Sequence, residues 1–157
     1  MGQSTDAMLV YGYHLGGGDS GWELEGLGKY GELPELPWYG PEDDFQTAAE
    51  RHLLATLTGF TETWEPGKDG YFQREREARA TLGVEFETHC SDRSPMYLLI
   101  AVGVTAHRGC ATPVGFTQLA DEVTRQGADA KLRQALDALG IRPRQRRPGW
   151  LLCSWWG

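Results

Sequence analysis

His89 and Cys90 are adjacent in the chain, and His107 stands three residues before Cys110. Imidazole and thiolate are the ligand types of zinc, and a thiol beside an imidazole is the pair used by cysteine nucleophiles. The spacing argues against both. If residues 84–90 and 96–107 form a hairpin that turns near 91–96, His89 faces about residue 98, and His107 lies roughly 30 Å further along at strand rise. Neighbouring strand residues point to opposite faces, so His89 and Cys90 do not pair. Neither a metal site nor a cofactor is expected. Cys110 with His107 stays open as a pair, because a turn could bring them together.

A second set of reactive types surrounds "HLGGGDSGW" (14–22). Gly16, Gly18 and Gly21 have the spacing of a dinucleotide loop. A phosphate cradle needs a helix N-terminus behind it, however, and the P-loop needs a lysine. Here a strand pattern follows and lysine is absent. There is no Gly-x-Ser-x-Gly elbow anywhere in the chain. A small hydrolase-like or ligand-binding enzyme, working near this loop through His14, Asp19, or His107 with Cys110, is therefore the alternative reading. The balance leans against an enzyme.

The third set is non-reactive. Residues 28–44 combine Tyr30, Trp38 and Tyr39 with Glu32, Glu35, Glu42, Asp43 and Asp44. Aromatic anchors inside an acidic rim suit a basic protein partner. This segment is the predicted contact surface of a non-enzymatic binding protein, although its aromatics could equally seal a core. A further reading assigns nucleic-acid binding to two C-terminal helices followed by "RPRQRR" (142–147). Lys131 and Arg133 are offset by Asp129 and Asp137, and the chain's net charge is −7, so nucleic acid is an unfavoured partner.

Elements must position these groups. Residues 8–15 and 22–27 read as strands around a glycine turn. Three prolines and three glycines make 28–41 irregular. A helix is expected from Pro41, with Glu42, Asp43 and Asp44 at its positive end and Gly59 as its stop. Its apolar face includes His52, which reads as a core or boundary residue. Residues 60–66 suggest a short strand, 71–82 a helix stopped by Gly83, and 84–90 a strand with Glu85, Glu87 and His89 on a wet face. "MYLLIAVGVTAH" (96–107) is the predicted central strand. Thr112-Pro113 predicts the opening of a helix that Gly127 breaks, and a second helix ends at Gly140. The closing "WLLCSWW" alternates with apolar residues on both faces, as in a strand covered on both sides.

The 157 residues favour one domain, and 40% hydrophobic with 24% charged residues is an ordinary globular balance. Three cysteines do not form a disulfide framework. Neither a signal-peptide pattern nor a run of 18 apolar residues is present, which predicts a cytoplasmic protein without a membrane partner. The expected fold is a single α+β domain with a mostly antiparallel sheet covered by helices on one side.

"PMYLL" (95–99), "DAKLRQALDALGI" (129–141) and "PGWLLCSWWG" (148–157) resemble a group of small, largely uncharacterised intracellular proteins of actinobacterial phages. The resemblance is most specific in the closing W-L-L-x-S-x-W-G. It implies a setting, the host cytoplasm, and a host or phage protein as partner. It brings no catalytic residues with it.

Overall fold

The computed structural model describes residues 5–19 and 21–156. They form one α+β domain built on a five-stranded sheet in the order β2-β1-β4-β3-β5. Strand β1 (Thr5–Gly17) is the longest and lies antiparallel to β4 (Pro95–Ala106). Strand β3 (Glu85–Ser91) forms a hairpin with β4 through the predicted turn. His89 pairs with Met96 rather than residue 98, because the turn is tighter than assumed.

Strand β5 (Gly149–Trp156) runs antiparallel to β1, from Gly12↔Gly149 to Thr5↔Trp156. Its end also meets β3 in parallel, Cys90↔Trp155 and Ser91↔Trp156. The sheet therefore curls until its two sides touch at one end. Register shifts at Tyr11/Gly12 and His14/Gly16 supply bends in β1. Gly12 is obligatory in this curl, since a Cβ there would stand 2.0 Å from the carbonyl oxygen of Leu99. Strand β2 shrinks to Gly21–Trp22, shorter than the predicted 22–27. Glu23 still donates its N–H to the Leu15 carbonyl of β1, and beyond it the chain bonds to 142–144, with Glu25 N–H on the Arg142 carbonyl and Arg144 N–H on that of Glu23.

Between β5 and β2, one stretch of β1 has no strand beside it. Gln145 fills the place. Its side-chain oxygen accepts from the His14 N–H at 3.0 Å, and its Nε2 donates to the Gly12 carbonyl at 2.9 Å. One side-chain amide thus does the work of a peptide unit in the ladder.

The curl gives the sheet two faces and two cores. Met8, Val10, Leu98 and Ile100 fill the concave side, with Leu151, Cys153 and Trp155 against them. The convex side carries the larger core, including Tyr13, Leu15, Trp22, Phe86 and Leu99, under helices α1 (Phe45–Leu53) and α4 (Ala128–Leu139). Helix α1 begins at Phe45, four residues later than Pro41. The Asp43 carboxylate instead accepts from the Gly40 N–H, closing a turn, and Asp44 is the cap, accepting from the Thr47 N–H and hydroxyl at 2.9 and 2.8 Å. A π-turn, Leu54–Thr58, extends the helix to Gly59, whose left-handed φ of 73° ends it. Helix α2 (Tyr71–Leu82) has the predicted bounds, and Gly83 and Gly140 end their helices in the same left-handed way. Helix α3 (Phe116–Arg125) starts after Gly115, later than Thr112-Pro113 suggested. Residues 60–66 form no strand.

Coverage is uneven. The predicted two-sided burial of β5 does not hold: Leu151, Cys153 and Trp155 are half-buried on the concave side, while Trp150, Leu152 and Trp156 face out and are exposed. The helices lie over the other end of the sheet.

Candidate functional site

The residues singled out as an enzymatic set are dispersed. Asp19 accepts a hydrogen bond from the Ser94 hydroxyl at 2.8 Å. His107 Nδ1 is 3.0 Å from the Asp6 carboxylate. Cys110 is exposed, and its N–H closes a turn onto the His107 carbonyl, so these two meet through backbone only in the contacts seen.

His14 turns to the concave face and meets His89, with ring centroids 5.3 Å apart. The Nε2 atoms of both are buried and without a hydrogen-bond partner. Glu87 points to the same face from β3, opposite Leu98 as His14 is from β1. One cause acts on Glu87, His89 and Cys153. Desolvation inside the curl raises the Glu87 carboxyl and the Cys153 thiol above their ordinary pKa values and lowers the His89 imidazole below 6.5. Nearby Glu85 and Glu50 push Glu87 further up, and His14 pushes His89 further down. The predicted wet face of β3 is thus half-dry at Glu87 and His89, because the curl folds it inward. Among the described residues, no group of three or more His, Cys, Asp or Glu is placed to hold a metal.

The 28–44 segment divides. The Trp38 indole donates to the Leu139 carbonyl at 2.8 Å and stacks on His52, at 5.9 Å and 20°. Tyr39 packs edge-on against Phe45 at 5.6 Å. These two aromatics join the core, and Asp43 and Asp44 shape the start of α1. Tyr30 is 85% exposed under Lys29, and Glu42 is exposed.

A more concave aromatic surface lies where the sequence predicted a strand. The loop 59–70 folds back between α1 and α2 and leaves a groove of about 270 Å³ lined by Leu54, Phe60, Trp64 and Tyr71, with Glu50 and Glu62 at its sides. Phe60 and Tyr71 are in ring contact at 5.8 Å, and Tyr71 meets Phe72 at 5.3 Å. Trp64 and Phe72 remain exposed. The walls are held by ion pairs. Arg74 grips both oxygens of Glu62 at 2.8 Å and Lys68 adds a third contact at 3.3 Å, which holds the Glu62 carboxyl down at about 2. Arg79 ties Glu50 of α1 to Glu75 of α2. Residues 42–87 carry eleven carboxylates against five cations, a net −6.

No protein family, curated protein or solved structure matches the chain. Among the described residues, no helix is long and apolar enough to cross a membrane.

Proposed function

We propose that the protein is a non-enzymatic binding protein whose contact site is the groove between α1 and α2. The observation that carries this reading is Trp64, 56% exposed at the rim of an aromatic-floored groove. Tryptophan is among the residues most enriched at the hot spots of protein interfaces. The carboxylates that line the groove are already paired with Arg74, Lys68 and Arg79, so the partner's contribution is an apolar anchor. The phage resemblance makes a host or phage protein the partner to look for. The 28–44 segment is a rival contact surface through exposed Tyr30.

The test captures partners from an actinobacterial lysate with the wild type, Trp64→Ala and Tyr30→Ala, and then measures the purified partner's affinity for each. Trp64→Ala should weaken binding by roughly 30-fold or more. Loss with Tyr30→Ala while Trp64→Ala binds normally returns the contact to the 28–44 loop. Equal binding by all three overturns both.

A further inference from the structure

We propose that His14, His89 and Met96 form a three-donor site for a soft metal ion, copper(I), inside the curl of the sheet. The site is independent of the groove. His14 comes from β1 and His89 from β3, and β4 runs between them. Met96 of β4 is the cross-strand partner of His89, so the two side chains leave the sheet on the same face. That face is the concave one: Tyr97 and Leu99 belong to the convex core, while Leu98, opposite His14, belongs to the concave core. Two imidazoles and a thioether are thereby gathered from three adjacent strands. All three residues are half-buried, inside the curl yet open to solvent on one side.

The imidazoles are the decisive donors. Among the described residues, His14 Nε2 and His89 Nε2 are the two buried side-chain nitrogen or oxygen atoms without a hydrogen-bond partner, and their rings are in contact. Buried polar atoms are almost always paired, and one that is not asks for a water or an ion. Nδ1 of neither ring is stranded in this way, so it can carry the ring proton and leave the Nε2 lone pair for a metal. The spacing fits a single ion. With a metal–nitrogen bond of about 2.0 Å and a ring nitrogen about 1.1 Å from its ring centre, each centre stands about 3.1 Å from the ion. Two rings about 120° apart at a three-coordinate ion then have centres about 5.4 Å apart. The observed separation is 5.3 Å, and the rings are tilted by 55° rather than stacked.

The donor set chooses the metal. Thioether sulfur is soft and selects copper(I), which imidazole also suits. Structural zinc wants four donors, chiefly thiolates and imidazoles. Calcium and magnesium want oxygen. Among the described residues, no third His, Cys, Asp or Glu joins the two imidazoles as a ligand, which leaves Met96 as the third donor.

Competition with bicinchoninate, a copper(I) chelator, tests the proposal in oxygen-free buffer. Free thiols also bind copper(I), and the chain carries Cys90, Cys110 and Cys153. The titration therefore uses the full chain with Cys90→Ser, Cys110→Ser and Cys153→Ala. This chain should take one equivalent of copper(I) from the chelator. In the same background His89→Gln should weaken the site by roughly 100-fold or more and Met96→Leu by roughly 10-fold, at least the loss that a partner outside the ligand set causes. Circular dichroism checks the fold of each chain. A cysteine-free chain that leaves the copper with the chelator overturns the proposal. So does uptake that survives His89→Gln or Met96→Leu unchanged. Should the cysteine-free chain not fold, X-ray absorption at the copper edge decides, on the wild type loaded with one equivalent. A shell of two nitrogens and one sulfur, whose sulfur disappears in Met96→Leu, supports the site. Sulfur that persists in Met96→Leu marks a thiolate site and overturns it.

Discussion

Leu99 and Leu152 are both strand leucines on the convex side of the same sheet. One is 0% exposed and the other 80%. Leu99 lies opposite Tyr13 in the half of β1 that the helices cover, and Leu152 opposite Leu9 in the half they leave bare. The residue type is the same and so is the strand alternation. What differs is where the helices land, and that depends on caps and turns far away in sequence. A hydrophobic face is therefore a statement about a strand; its coverage is a statement about the whole domain.

The largest effect expected from this contrast comes from shortening each leucine. Leu99→Ala should cost about 2–5 kcal/mol through lost burial and an unfilled cavity. Leu152→Ala should stay within about 0.5 kcal/mol. Urea midpoints give both numbers. Equal losses would mean that the two halves of the face are equally covered.

The caps that place the helices come next. Asp44→Ala should cost about 1 kcal/mol, because it frees the Thr47 N–H at the start of α1. Glu42→Ala, two residues earlier, should change the melting temperature little. A larger loss at Glu42 would restore the start of the helix to Pro41.

The smallest effect belongs to the concave side and is one of pH. The His89 pKa lies below its ordinary 6.5, so the folded chain takes up its proton later than the unfolded chain does. That stability is present above 6.5 and is lost as pH falls through the folded value. Glu87 works the other way: its raised pKa favours the folded chain as pH falls toward 4.5. His89→Gln isolates the imidazole. Between about pH 7.5 and 5.5 the wild type should lose stability more steeply than the variant. Parallel curves would show that the His89 ring is not desolvated.

The sequence and the structure agree most where one residue decides the local geometry. Gly59, Gly83 and Gly140 end helices because they take left-handed φ, and those ends were readable. Helix starts were less so. Pro41 and Pro113 looked like first-turn residues, yet Asp44 and Gly115 hold the cap positions, since side-chain reach and backbone angle choose among neighbouring candidates. The curled sheet hides the rest. His14 and His89 sit on strands separated by β4, about 10 Å apart in a flat sheet, and the curl alone brings their rings together. Trp64 was missed for a related reason: its loop has no period, and its groove exists only once α1 and α2 are side by side.

The single amide of Gln145 has a consequence in time. Most of β1 exchanges its amide protons only when a neighbouring strand lifts away, a cooperative event. The His14 N–H is held by one side chain, whose rotation about its own bonds is enough to release it. Its deuterium uptake should therefore run ahead of that of Gly12 and Tyr13, the two residues before it, and Gln145→Ala should bring it close to the rate of an open loop. One amide in the longest strand would keep its own clock.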